Sequence, residues 1–444
     1  MHRVALFWDQ SFLWGMFLYD ALCEMDIPFC VVRTAQVHGG ILSHFPVLLM
    51  PGGWASQKVA LLGRPGRERI IEFVGNGGVY IGFCGGVGLV LSGKRTLNIV
   101  PVKRLPMERR IPSASGPVVI KKNADHPVWD GLPERVIVSI WWPSQVEPDN
   151  VTGLTSIALY EKTSPGFWVS DIPYDDVRTL NIRSLEDSYG INLNPEKYLY
   201  GKPAIMEYEL GEGSFFLSYP HLETPGDVEG RRLLRRIIDH AYRKWQEKSK
   251  ISAKAPPELP HPPFPSPEIV KKVQAIRRQL EELIDLGIRN LLWFWRKPWL
   301  LGWKRGIRGL EYSMMLTLVT FLERALEVLA LTRRRTLHNE PVWKDLIDLL
   351  ASRVDEFSTK ARRLLIYERF LSQERVLPKL GSVDPRIDDL RSYLFGSKMN
   401  HGGLCKEIFD LIDEALYGAL CLLLRYKIKI RFSSRVNDFT IVDA

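Results

Sequence analysis

The sequence predicts an α/β domain built on a mostly parallel sheet, followed by a separate all-α helical domain. Three observations carry this. Short, wholly apolar runs alternate with helical periods in the first half, a proline-rich stretch interrupts the chain near residue 250, and helical periodicity dominates beyond it. Strands that are apolar along their whole length belong in a sheet covered on both faces, which is the parallel arrangement.

The first elements follow in order. Val4 to Trp8 reads as a buried strand, Phe12 to Met25 as a helix, Phe29 to Arg33 as a second strand and Pro46 to Met50 as a third. Arg67 to Asn76 has a helical period that Gly77-Gly78 stops. Val79 to Phe83 then runs as a strand directly into Cys84-Gly85-Gly86. Residues from about 95 to 200 break the alternation with prolines and short β-like runs such as Val118 to Ile120 and Val136 to Trp142. This is a β-rich insertion, part extra strands and part long loops. Ala204 to Leu210, the turn Gly211-Glu212-Gly213 and Ser214 to Ser218 form a hairpin signal. Arg231 to Trp245 closes the domain as an amphipathic helix.

Residues 248–267 form the proline-rich linker, whose prolines favour an extended spacer. The division is therefore 1–247, a linker, and a helical domain over 268–444. Helical periods cover roughly 267–295, 305–335, 341–372, 384–395 and 402–428.

At 444 residues the chain exceeds one ordinary core. Five cysteines, at 23, 30, 84, 405 and 421, show no spacing suited to zinc or a disulfide framework, which fits a reducing, cytoplasmic setting. No signal-peptide pattern opens the chain, and the apolar run Tyr312 to Leu322 is too short to span a bilayer. The formal charge is +9, of which residues 266–444 supply +8 through 31 Lys and Arg against 23 Asp and Glu. Basicity thus belongs to the helical domain and bears on its partners.

The chemistry concentrates in three short motifs. Gly82-Phe83-Cys84-Gly85-Gly86 is a G-x-C-x-G turn, the cysteine counterpart of a strand-to-helix nucleophile elbow. It puts a thiol at a strand end and at a helix N-terminus, where a thiol ionises more readily. Ser218-Tyr219-Pro220-His221-Leu222-Glu223 ends another strand and supplies a base, His221, with a carboxylate, Glu223, to orient it. Pro51-Gly52-Gly53 follows the third strand, and its backbone N–H groups, with that of Gly85, suit an oxyanion hole. All three lie at carboxyl ends of strands, the edge at which open α/β sheets bind ligands. Each motif alone is ordinary: a small cysteine that packs, a core histidine, a glycine turn. Order and separation make the case.

This set resembles the class I glutamine amidotransferase-like superfamily, and within it the branch similar to the N-terminal domain of long biotin-protein ligases, over residues 1–245 only. The resemblance implies a flavodoxin-like fold. It also implies Cys84 as nucleophile, His221 as general base and acid, Glu223 as orienting carboxylate, and Gly53 and Gly85 as oxyanion donors. His126-Pro127 with Trp129-Asp130-Gly131-Leu132-Pro133 looks like a recurring segment of the superfamily, where it is structural. The second half carries neither a phosphate-binding glycine loop nor a biotin-ligase catalytic segment, so glutamine-driven synthesis finds no acceptor domain.

The expectation is a cysteine hydrolase, an amidase or peptidase-like enzyme that cleaves a C–N bond of a small-molecule or peptide amide through a Cys84 thioester, with no metal or other cofactor. The alternative is a non-catalytic binding or scaffold protein whose basic helical domain, 268–444, engages a protein partner or a membrane surface. Nucleic acid is the least supported partner. Trp293-Phe294-Trp295-Arg296-Lys297-Pro298-Trp299 through Arg308 mixes indoles with cations in a way that suits such surfaces. The favoured reading is a helix-turn-helix whose tryptophans fill a bundle core while the charges face water, with Arg333-Arg334-Arg335 as a helix C-terminus. Trp8-Asp9-Gln10 and Tyr19-Asp20 lie near the first strand's active edge, within reach of a ligand, but read first as capping and packing residues, and Trp141-Trp142 read as cleft-lining or core.

Overall fold

The computed structural model describes residues 4–147, 151–248, 261–332, 341–375, 377–378, 382–396, 402–432 and 439–442. The chain divides into two compact units, Met1–Pro257 and Glu258–Ala444. Most of the proline-rich linker, residues 249–260, lies outside the described residues, as does Arg333-Arg334-Arg335.

Five parallel strands organise the first unit: β1 (Val4–Phe7), β2 (Phe29–Val32), β3 (Val47–Met50), β4 (Val79–Phe83) and β5 (Gly213–Ser218). Their spatial order is β2-β1-β3-β4-β5. This is the 2-1-3-4-5 order of the flavodoxin-like doubly wound fold. Every residue of β1, β3, β4 and β5 is buried, which explains why these strands read as unbroken apolar runs.

The insertion extends this sheet rather than forming a separate layer. Pro203–Leu210 pairs antiparallel with β5, Leu154–Thr163 with Pro203–Leu210, and Ala114–Lys122 with Leu154–Thr163. Arg135–Trp141 and the two-residue strand Trp168–Val169 both join Ala114–Lys122, and Ile172–Pro173 ends the eleven-stranded sheet. The outer strand Arg135–Trp141 alternates exposed and buried residues along its first half, as a strand with one wet face does. A smaller sheet pairs Val100–Arg104 with Val146–Glu147, folding the start of the insertion against the segment that follows Trp141.

Two stretches differ from the sequence expectation. The helix expected from Arg67 starts at Ala55 and runs to Gly75, with a kink at Gly63, whose φ of 53° no helix interior adopts. The tryptophan-rich segment is not a helix-turn-helix. Helix Pro267–Arg289 stops, Leu291 takes a φ of 58°, and Trp293–Lys297 pairs antiparallel with Leu300–Trp303. Pro298 cannot continue a helix, and closely spaced aromatics fit a pleated surface better than a helix face. Trp293 and Trp299 are buried, with Trp293 Nε1 donating to Arg308 O at 2.8 Å.

The second unit is otherwise helical, with Pro267–Arg289, Leu310–Thr332, Pro341–Glu374, Pro385–Phe395 and Gly403–Arg425 packed around a Leu/Ile/Phe core. Lys429–Phe432 adds a strand that pairs with Phe439–Val442. Among the described residues no helix is long and apolar enough to cross a membrane. All five cysteines are unbridged.

An ion pair joins this core to its margin, with Glu368 buried and Arg391 partly so. Arg391 donates to Glu368 Oε1 at 2.7 Å, to Gly306 O at 2.9 Å and to Pro378 O at 2.7 Å. Burial raises the Glu368 pKa to about 7 even with Arg391 pulling it down. Replacing Arg391 with Ala strands a buried carboxyl and leaves two carbonyls without their donor, so Arg391→Ala is expected to lower unfolding free energy by about 3–5 kcal/mol in a urea titration. A loss below about 1 kcal/mol would show that the pair does not hold this core together.

Candidate active site

The thiol is set by backbone crowding where β3 and β4 end. Cys84 has φ 43° and ψ −96°, a conformation costly to a non-glycine residue and found where a strand turns sharply into a helix. The surrounding glycines follow from contacts. A Cβ on Gly85 would lie 1.9 Å from Gly53 O, and one on Gly86 would lie 2.4 Å from Met50 O. The elbow is tied on both sides: Cys84 N donates to Ser218 O at 2.9 Å, and Tyr80 Oη donates to Gly86 O at 2.7 Å. Gly85 opens the helix Gly85–Val90, so its N–H belongs to the set without an intrahelical acceptor.

His221 and Glu223 sit in the loop after β5, both fully buried. His221 Nδ1 is 2.6 Å from Glu223 Oε1, and His221 N donates to Ser139 O at 2.8 Å. The ring lies against Trp14, with centroids 4.2 Å apart. Beneath it Gly52 leaves room, because a Cβ there would meet His221 Cε1 at 2.7 Å. Thr224 locks the loop by donating from Oγ1 to His221 O at 2.7 Å while accepting from Trp141 Nε1 at 3.0 Å.

The structure therefore gathers Cys84, His221, Glu223, Gly52, Gly53 and Gly85 at one end of the parallel sheet. Burial works against a charged His221 ring, but the Glu223 carboxylate and the Cys84 sulfur outweigh it and raise the His221 pKa from 6.5 to about 10. The folded ring holds its proton more tightly than a free imidazole. Its contribution to stability is thus complete below pH 6.5 and is lost as pH climbs through 10. The sulfur influences the ring without closing a hydrogen bond to it. Its own contact is to Trp141 O at 3.8 Å, and His221 Nε2 has no partner among the described residues.

Sequence reading missed Trp14 and Thr224, which hold the imidazole, and left Trp141, whose carbonyl faces the thiol, between cleft and core. Nothing in their local pattern separates them from core residues. Near β1, Asp9 accepts from Arg33 Nε at 2.5 Å and from Thr34 N at 2.7 Å, and Asp20 faces Arg231 at 3.4 Å.

A second polar cluster, His126, Glu207 and His240, offers ligand atoms within 4.8 Å of one another. Its donors do not suit a cation. Lys244 Nζ already occupies Glu207 Oε1 at 2.9 Å, and His126 Nδ1 accepts from Val128 N, leaving Nε2 to donate to Glu207 Oε2 at 2.9 Å. Burial would raise the Glu207 pKa, but both histidines and Lys244 hold it well below the carboxylate range. The cluster is an ion-pair hub joining the helix Val228–Lys248 to the sheet. A cavity of about 700 Å³ within the insertion, lined in part by Glu108, Glu186 and Asn192, includes none of the residues around Cys84.

Gly85→Ala should prevent the elbow from closing, because the atom it would strike is a backbone oxygen. Overpacking of this kind costs about 1–3 kcal/mol. A lowered melting temperature together with lost Cys84 accessibility is expected, and a variant with the parent's stability would remove the crowding argument.

No family model and no curated protein matches the chain. Solved structures similar to it include PurLQS from Thermotoga maritima, at 15% identity over 54% of this chain and 99% of that one, with a TM-score of 0.36. A glutamine amidotransferase from Thermotoga maritima matches at 15% identity over 57% and 87%, with a TM-score of 0.32. A Thermoplasma acidophilum protein, provisionally described as part of a GMP synthase, matches at 13% identity over 56% and 98%, with a TM-score of 0.34.

Proposed function

We propose that the first unit is a cysteine-dependent hydrolase of the class I glutamine amidotransferase-like type, acting on the C–N bond of an amide. The observation that carries this reading is the buried His221–Glu223 pair at 2.6 Å beside a thiol held in a strained elbow. The branch resembling the biotin-protein ligase N-terminal domain is part of the same proposal and rests on the motif set alone.

In this reading His221 Nε2 takes the Cys84 thiol proton, the sulfur attacks the amide carbonyl carbon and the C=O electron pair moves to oxygen. The N–H groups of Gly53 and Gly85 receive that oxyanion. The C–N bond then breaks, and His221 Nε2 gives its proton to the departing amine. A water molecule, deprotonated by His221, attacks the thioester and releases a carboxylic acid, which regenerates the thiol. Glu223 fixes Nδ1 as the protonated nitrogen throughout. A raised His221 pKa suits the second half of the amide cleavage, because the ring carries its proton across neutral pH.

A second reading has one observation in its favour: Nε2 and the sulfur do not close a hydrogen bond. In that reading the unit is a non-catalytic binding or scaffold module, and the basic helical unit engages a protein partner or membrane surface. Catalytic contacts are often loose before substrate binds, so the hydrolase stays the stronger proposal.

Two measurements test it. Cys84→Ala should abolish covalent labelling by an electrophilic glutamine analogue, whereas labelling that survives would eliminate this thiol as nucleophile. Glu223→Gln removes the carboxylate that favours the charged ring, so the His221 NMR titration midpoint should fall by about one to three units. An unchanged midpoint would mean that Glu223 does not act on the ring.

A further inference from the structure

A lysine stands in the first turn of the helix Ala55–Gly75, where two physical rules disfavour it. Lys58 is fully buried, and taking an ammonium wholly out of water is costly. The first turn is also the positive end of the helix dipole, which favours a carboxylate there. A residue that breaks local rules marks a place where function or strain is held.

Its side chain reaches two loops at the carboxyl edge of the sheet. Lys58 Nζ donates to Pro51 O and to Ser11 Oγ, both at 2.9 Å, and lies 5.6 Å from the centroid of the Phe7 ring. Ser11 Oγ in turn donates to Phe7 O at 3.1 Å. Gln10 and Phe12, on either side of Ser11, hold φ values of 57° and 45°, so this loop is strained as the elbow is. It also backs the glycine loop, since a Cβ on Gly53 would lie 3.0 Å from Gln10 O.

The bond to Pro51 O acts on the next N–H. Among the described residues no peptide bond is cis, so the C=O and N–H of the Pro51–Gly52 peptide point in opposite directions. With its oxygen drawn onto Lys58, the peptide turns Gly52 N–H away from the lysine. Gly52 is the residue that crowds the imidazole, a Cβ there meeting His221 Cε1 at 2.7 Å, and Gly53 O closes against Gly85. Neither Gly52 N nor Gly53 N donates to an acceptor among the described residues. A cation on the carbonyl of an amide draws electrons toward oxygen and makes the N–H of the same amide a stronger donor.

We propose that Lys58 is a positioning residue for acylation of Cys84: its ammonium turns and polarises the Pro51–Gly52 peptide, so that Gly52 N–H joins those of Gly53 and Gly85 as an oxyanion donor. This deepens the hydrolase reading and rests on it. Lys58 does not meet the substrate. It acts only while the carbonyl oxygen carries charge, and so lowers the barrier without tightening ground-state binding.

Two reagents applied to Cys84 in the full chain separate this from a packing role. p-Nitrophenyl acetate acetylates the sulfur: the S–C bond forms, the carbonyl oxygen becomes an oxyanion, and the bond to p-nitrophenolate then breaks. Iodoacetamide forms an S–CH₂ bond and releases iodide with no oxyanion. Both need the thiolate, so a change in folding or thiol ionisation moves both rates together and their ratio reads the oxyanion. The Cys84→Ala chain gives the background of the other thiols and amines. Lys58→Met should lower the acylation-to-alkylation ratio about tenfold, less than the roughly hundredfold loss that follows removal of a whole oxyanion donor. The iodoacetamide rate should stay within about twofold. In Lys58→Ala, propylammonium should restore part of the ratio, and propan-1-ol, of the same size without the charge, should not. A ratio unmoved by Lys58→Met, or restored equally by the alcohol, overturns the proposal. A parent ratio no higher than that of N-acetylcysteine, a thiol with no oxyanion hole, overturns it even where the variants fail to fold. His221→Asn separates the two ideas. Rates indifferent to His221 sink the hydrolase, whereas a Lys58-dependent ratio in that background keeps the oxyanion donor.

Discussion

Contact between two backbones governs this structure. Gly53 O lies where a side chain on Gly85 would have to begin, and Met50 O crowds Gly86 in the same way. Strands β3 and β4 are neighbours in register, so their C-terminal turns meet at van der Waals distance. Only glycine lets them pass. The strained Cys84 conformation survives because Ser218 O, Gly86 O and the Gly53 loop over-determine it. The Gly53 loop is itself anchored, since Lys58 Nζ, fully buried, donates to Pro51 O and to Ser11 Oγ, both at 2.9 Å.

A second layer fixes the imidazole. Trp14 comes from the helix after β1, Gly52 from the loop after β3, Ser139 from the insertion and Glu223 from the loop after β5. These elements leave the ring little freedom, and its charge state follows from what they exclude: water that would screen Glu223. The insertion thus does more than lengthen the sheet. It supplies the carbonyl that faces the thiol.

Much of this was legible in the residues themselves. The parallel strands announced themselves because burial on both faces leaves no alternation to obscure, and the elbow because glycines flank a cysteine directly after a strand. The helix from Ala55 was half hidden, since Gly63 and Pro65 punctuate it and its exposed side is rich in charge. The tryptophan hairpin misled because aromatic and basic residues carry no period over five positions.

The margins of the main sheet bear on how the protein behaves in concentrated solution. One margin is β2, four residues long, and another is Ile172–Pro173, two residues closed by an imino acid with no N–H to offer. The longer outer strand Arg135–Trp141 has its free edge covered, since Ile137 N donates to Glu229, Ser139 N donates to Asp227 and Ser139 O accepts from His221 N. A ladder between chains needs a long row of free donors and acceptors, and none of these margins provides one. An eleven-stranded sheet can therefore grow this wide without becoming a template for its own copies.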